Sequence, residues 1–284
     1  MSDNYLPLDK SWLDFEQVKN LLNFDQKVLV TPDAHERISR CRNYLDKKLA
    51  TSDALYYGIN TGFGFLQDVH ISNDQIEQLQ YNLLKSHACG MGDEVPARIV
   101  KLMLMLKVKS LSYGYSGVQI DTVNRLVDMF NNNVLPVIYT QGSLGASGDL
   151  APLSHLSLPL IGLGDVHYKG GKYKVEDLWK KLGWETIHLQ SKEGLALING
   201  TQFMSAYGLY CLKKSEQLIK MADVICALSF DAFDCLTEPL AECIQVIRPH
   251  RGQVETARVI RKYLEGSEIA NNRKTQVQDP YSFR

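Results

Sequence analysis

The sequence predicts a mainly α fold with a small α+β region and long bundle helices, and three observations carry that prediction. From Gln202 to about Leu236 the chain is Ala- and Leu-rich and free of proline, the composition of a long bundle strut. Several earlier segments repeat apolar residues at helical spacing. Runs that suit strands are short, confined to Lys27–Val30 and to an alternating stretch around Gly170-Gly171.

In chain order, Lys27–Val30 reads as a short strand. Thr31-Pro32-Asp33 supplies an N-cap, a first-turn proline and an early acid, and Ile38, Cys41, Leu45 and Leu49 then follow on one helical face. Tyr56–Phe65 (YYGINTGFGF) interleaves glycines with aromatics and cannot be a regular helix; it reads as a glycine-bent loop. Asn73 suits a cap for the next helix, with Ile76, Leu79, Leu83 and His87 on one stripe and Gly90 and Gly92 ending it. Ala97–Leu111 is apolar on most sides, interrupted by Lys101, Lys107 and Lys109, and reads as a largely buried helix. Val118 to Phe130 marks another, stopped by Asn131-Asn132-Asn133 and Pro136. Val166–Val175 reads as a surface hairpin, Asn199-Gly200-Thr201 as a turn into the long helix, and Val254–Leu264 as a shorter helix stopped at Gly266. The end, Gln278 to Arg284, reads as a polar tail.

Composition narrows the function. The 284 residues suffice for one large domain or two small ones, and 45% hydrophobic with 22% charged residues is an ordinary globular balance. A formal net charge of −1 argues against nucleic acid or an anionic membrane as partner. Cysteines 41, 89, 211, 226, 235 and 243 show no Cys-x-x-Cys and no histidine at metal spacing. They read as reduced, mostly packed thiols, with no metal site expected. The opening MSDNYLPLDK lacks the layout of a signal peptide, and the longest apolar stretches are broken by Lys107, His155, Pro159 or Gly162. The expectation is a cytoplasmic protein without a membrane span.

One stretch departs from packing logic: Gln141–Leu153, QGSLGASGDLAPL. Glycines permit a reversal closed to other residues and let groups approach the main chain. In a tight reversal the Gly148 amide nitrogen can press on the Ala146 carbonyl carbon. Attack there, with loss of one water from that carbonyl and one from the Ser147 hydroxyl, gives a five-membered ring with an exocyclic methylidene, a strong electrophile. A turn with a helix cap at Asp149 is the plain alternative. A hydrolase elbow, Gly-x-Ser-x-Gly, fails because its last glycine would fall at Asp149.

Gly142 to Ser154 resembles the signature of the aromatic amino acid ammonia-lyases, which build a methylidene-imidazolone from Ala-Ser-Gly. The resemblance implies the ammonia-lyase (L-aspartase-like) fold, with residues 1–200 as the active-site region and 201–284 as the start of a central helical bundle. It implies a 4-methylidene-imidazol-5-one formed from Ala146, Ser147 and Gly148, needing no metal or diffusible cofactor. Tyr56–Phe65 resembles the family segment whose tyrosine, here Tyr57, accepts the substrate proton, with Asn60 holding the loop; that role requires a phenol pKa drawn down from about 10. Ser86-His87-Ala88 resembles the substrate-selecting helix of histidine-active members, so His87 would orient an imidazole. Leu197-Ile198-Asn199-Gly200-Thr201 resembles the segment that sets an asparagine, here Asn199, beside electrophile and substrate. Gln278-Asp279-Pro280-Tyr281-Ser282-Phe283-Arg284 resembles a family motif with Leu at the position of Phe283. There Gln278 and Arg284 would bind substrate, the guanidinium forking onto a carboxylate, and Tyr281 would lie near the reacting centre.

The function so implied is elimination of ammonia from L-histidine to give trans-urocanate, by a homotetramer whose active sites are shared between subunits. A tyrosine or phenylalanine lyase, an aminomutase with the same electrophile, and a catalytically inactive structural member remain as alternatives. Family members continue past Arg284 into more bundle, including a glutamate near the imidazole, so the chain is expected to be a piece that is inactive alone.

Overall fold

In the computed structural model, residues 5–21, 25–52 and 54–284 are described. They form two compact units, Met1–Tyr210 and Cys211–Arg284. The division falls inside the long helix, ten residues beyond the boundary expected at 200/201.

The first unit opens with a strand–helix–strand crossover. β1 (Tyr5–Leu8) pairs in parallel with β2 (Lys27–Val30), Tyr5 opposite Lys27, and α1 (Phe15–Leu21) lies between them in the chain. The Asn131 side chain ties β2 into the unit: its Oδ1 accepts from Val28 N at 2.8 Å and its Nδ2 donates to Val28 O at 2.9 Å. α2 (Pro32–Ala50) starts where Thr31-Pro32 predicts, with Thr31 Oγ1 accepting from Ala34 N at 3.3 Å.

A 3-10 turn at Asn73–Gln75 precedes α3 (Ile76–His87), whose cap position is Gln75. The side chain of Asn73, expected as the cap, lies outside the described residues. After α3 the chain does not simply stop at its glycines. Met91–Glu94 forms β3, which pairs antiparallel with β5 (Tyr139–Gln141) through a bulge. Its residues, Met-Gly-Asp-Glu, are exposed throughout, so no alternation announces it.

The core centres on α4 (Ala97–Leu111), in which Ile99 through Met105 and Val108 are all buried. α5 (Ile120–Asn131) packs beside it. Lys101, Lys107 and Lys109, read as interruptions, are buried with the rest at 1%, 1% and 9% exposure, each with polar or aromatic partners. β4 (Leu135–Pro136), β6 (Asp165–Tyr168) and β7 (Gly171–Lys174) form a sheet in that order, β6 and β7 being the predicted hairpin. α6 (Leu150–Ser157), α7 (Val175–Leu182) and α8 (Glu193–Ile198) complete the unit, with α3, α6 and α8 in mutual contact.

α9 (Gln202–Ala232) is the predicted long helix and runs from the first unit into the second. The second unit buries Phe230, Cys235, Leu240, Ala257, Ile260 and Leu264 around α10 (Glu242–Gln245) and α11 (Arg251–Tyr263), with α12 (Glu268–Asn271) following. The terminal segment is not a free polar tail. Phe283 packs on Phe230 and stacks on Phe233, and Asp279 Oδ2 accepts from Leu236 N at 2.7 Å.

Two further expectations are revised or delimited. Of the six thiols only Cys235 is buried, while Cys89, Cys211 and Cys243 are exposed, so they are not mostly packed. Among the described residues no helix is long and apolar enough to cross a membrane.

Candidate active site

The site is built on a turn between β5 and α6. Gly142, Gly145 and Gly148 all take positive φ (124°, 80° and 93°), which lets the chain reverse in the space of a few residues. Gly148 N returns toward Gly145 O at 3.4 Å, setting the Gly148 amide back over the Gly145–Ala146 end of the turn. Ala146 and Ser147 are exposed and Gly148 is half-buried.

Each arm of the turn is held by its own contacts. On the entry side Gly142 sits against Gly90: a Cβ at 142 would stand 3.1 Å from Gly90 Cα. Gly90 N donates to His155 Nε2 at 3.0 Å, and the His155 ring meets Tyr139 edge-on at 5.2 Å. Burial holds the His155 pKa below its ordinary value, so Nε2 stays an acceptor. The sequence marked His155 only as a break in an apolar run.

On the exit side the partner is the Asn199-Gly200 strap. Asp149 N donates to Gly200 O at 2.8 Å, and a Cβ on Gly148 would lie 2.5 Å from that same oxygen. Only glycine fits at 148. Asp149 is buried at 1% exposure and occupies the cap position of α6, yet its carboxylate does not bond that helix. Its Oδ2 accepts instead from Phe203 N and Met204 N at 2.9 and 3.1 Å, neutralising the first amides of α9. The expected cap residue thus caps a different helix.

A cavity of about 210 Å3 opens on this turn, lined among others by His87, Cys89, Leu144, Ala146, Ser147 and Gly148. His87 comes from the end of α3 and is half-buried. Its Nδ1 lies 2.9 Å from Leu83 O and 3.1 Å from Ser86 Oγ, and a carbonyl can only accept, so Nδ1 carries the proton and Nε2 the lone pair. The Ser154 hydroxyl on α6 donates to Leu84 O, tying the helix of His87 to the helix that follows the turn.

The remaining predicted residues are not among those that line this cavity. Asn199, exposed, closes α8 and donates from Nδ2 to Leu195 O at 3.0 Å. Tyr57 is 56% exposed and does not line the cavity. Its hydroxyl oxygen accepts from Gly64 N at 3.4 Å, and its ring meets Phe63 edge-on at 6.1 Å. Asn60 holds that loop as expected, accepting from Tyr56 N at 2.7 Å and donating to Ala54 O at 2.9 Å. A Cβ at Gly58 would meet Leu195 at 2.7 Å, so the loop packs on α8. Gln278, Tyr281 and Arg284 belong to the second unit and are exposed; the Arg284 guanidinium lies 3.9 Å above the Tyr281 ring. Among the described residues no cluster of His, Cys, Asp or Glu suits a metal ion.

Residues 13–284 match the sequence profile of the aromatic amino acid lyases. The chain is 40% identical over 278 residues to a histidine ammonia-lyase of Caldanaerobacter subterraneus subsp. tengcongensis, covering 98% of this chain and 54% of that protein. Its fold matches the crystal structure of Treponema denticola ergothionase with a TM-score of 0.92 at 28% identity, over 98% of this chain and 56% of the other. It matches that of Trypanosoma cruzi histidine ammonia-lyase with a TM-score of 0.83 at 35% identity, over 90% and 49%. The chain spans about half the length of the curated relatives it matches.

Proposed function

The chain belongs to the aromatic amino acid lyase family, and on that footing we propose that the complete protein is a histidine ammonia-lyase, converting L-histidine to trans-urocanate and ammonia. The observation that carries the choice of substrate is His87, which lines the same cavity as Ala146-Ser147-Gly148. With Nδ1 committed to Leu83 O, its Nε2 lone pair is set to accept the N–H of a neutral substrate imidazole.

The turn suits self-condensation into a methylidene-imidazolone. The reversal at Gly145–Gly148 and the absence of a Cβ at 148, where Gly200 O closes in, favour approach of the Gly148 nitrogen to the Ala146 carbonyl. When formed, such a ring supplies the electron-poor methylidene that turns the substrate amine into a leaving group. The chain's own residues do the rest. Tyr57 takes the β-proton, its oxygen already held by the Gly64 amide. Arg284 and Asn199 hold the carboxylate, with Gln278 beside them, and Tyr281 hydrogen-bonds near the reacting carbons. The Cβ–H and Cα–N bonds break, a C=C bond forms, and proton and amine leave as ammonia.

The complete protein is proposed to be a homotetramer in which Tyr57 and the 278–284 segment enter the site from neighbouring subunits. Their exposure supports this: 56% for Tyr57 and 87% for Tyr281. The test uses the complete protein. Its intact mass should fall two waters short of the sequence mass, and added L-histidine should yield urocanate, read by its ultraviolet absorbance, with one ammonia each. Product from tyrosine or phenylalanine and none from histidine would overturn the substrate; a full, unreduced mass with retained turnover would overturn the ring.

A further inference from the structure

Lys107 reaches the Asn199-Gly200 strap from α4. It sits within α4, 1% exposed, in a helix face otherwise made of Ile, Leu, Met and Val. Burying an ammonium among such residues costs several kcal/mol unless it is well partnered. Its partners are specific: Nζ donates to Ala196 O at 3.2 Å and to Asn199 O at 3.0 Å. Both oxygens belong to the end of α8, where carbonyls lack partners within the helix and a cation is favoured. The Asn199 oxygen is part of the Asn199–Gly200 peptide, and the carbonyl of Gly200 in turn bonds Asp149 N and closes on Gly148. One chain of contacts therefore runs from Lys107 through the strap to the backbone of the turn. Desolvation holds the Lys107 pKa down to about 7, with Asp149 the counter-charge that opposes the shift.

We propose that Lys107 is a positioning residue for ring closure: by gripping the Asn199–Gly200 peptide it seats Gly200 against Gly148 and keeps the Gly148 nitrogen in line with the Ala146 carbonyl. The step it serves balances within the chain. The Gly148 nitrogen bonds the Ala146 carbonyl carbon, whose oxygen leaves as water with the Gly148 and Ser147 amide hydrogens. The Ser147 hydroxyl then leaves as a second water with its own α-hydrogen. Because Asn199 sits on the same strap, substrate affinity depends on the same grip.

The inference rests on the proposed self-condensation, and the test separates the two. The complete protein is made by cell-free synthesis as wild type, Lys107→Met and Lys107→Arg, and the peptide spanning residue 147 is weighed over time in the folded fraction. Lys107→Met should close about tenfold to a hundredfold more slowly than wild type, the effect of losing hydrogen bonds from a charged donor. Its closed fraction should show a raised KM for histidine with kcat less affected, and Lys107→Arg, which keeps donors and charge, should recover much of the rate. A lysine that served only stability would lower yield and leave folded molecules closing at the wild-type rate; that result, with wild-type KM, overturns the inference while leaving the ring intact. A wild type that never loses water overturns the ring reading and this one with it. Should the methionine variant not fold, Lys107→Gln is read in the same way: slow closure supports the grip and wild-type closure overturns it.

Discussion

The turn at 142–149 and the segment at 278–284 both carry residues expected to act on substrate, and they are prepared very differently. The turn is exposed at its tip but backed by buried and half-buried groups: half-buried His155 behind Gly90 on one arm, and buried Asp149 and Lys107 with half-buried Gly200 behind the other. The terminal segment is anchored through Asp279 and Phe283, while the two groups expected to do chemistry in it face outward. Tyr281 is 87% exposed, and Arg284 spends its guanidinium on the face of that same ring. A backbone that must react with itself needs its geometry imposed from behind. A guanidinium that must meet a ligand needs only a fixed root and a free end, and its weak stacking contact is easily exchanged for a carboxylate.

That contrast can be broken at several points in the complete protein. Gly148→Ala should have the largest effect, because its Cβ would strike Gly200 O at 2.5 Å; turnover should fall to background and the two-water deficit should vanish from the intact mass. Tyr57→Phe should leave the mass deficit in place and cut kcat by about 10²- to 10⁴-fold, the usual worth of a general base. Normal turnover in that variant would remove the tyrosine from the proton transfer. Arg284→Lys should also keep the ring while raising KM about tenfold to a hundredfold, since a lysine cannot fork onto a carboxylate.

Stability gives a smaller signal with a defined sign. Lys107 is held at about 7 in the fold against 10.5 for the free side chain, so between those values the unfolded chain binds more protons than the native one. Its contribution therefore rises with pH across that window, by at most about 1.4 kcal/mol per unit, and unfolding curves of Lys107→Met should lose that slope relative to wild type. Phe283→Leu, which installs the residue the family resemblance expects, should cost only about 1 kcal/mol in the second unit, through loss of ring contacts to Phe230 and Phe233.

What could be read beforehand follows from how local each signal is. Thr31-Pro32-Asp33 starts a helix by chemistry contained in three residues, and α9 declares itself over thirty. The antiparallel pair of Met91–Glu94 with Tyr139–Gln141 leaves no local sign, since its residues are mostly exposed, include a glycine and are joined across nearly fifty positions of chain. The same holds at the site. Ala146, Ser147 and Gly148 stand out as a cluster of small residues, and His87 by its helical phase. Lys107 and His155 act through neighbours distant in sequence, and nothing marks them except a polar group in an apolar stretch. That signal is present in Ala97–Leu111, where three lysines stand in a buried helix, but spacing alone does not tell an interruption from a placed group.

The indole side chains offer a practical consequence. The tryptophans are Trp12, Trp179 and Trp184, all within the first unit. Trp179 is buried at 3% exposure and meets Trp184 edge-on at 5.1 Å, with Arg125 lying over the latter ring. Tryptophan emission therefore reports on the unit that holds the turn and is silent on the unit that holds Arg284. Paired with far-ultraviolet dichroism, which sees the helices of both, a single melt can tell whether the two halves come apart together or in sequence.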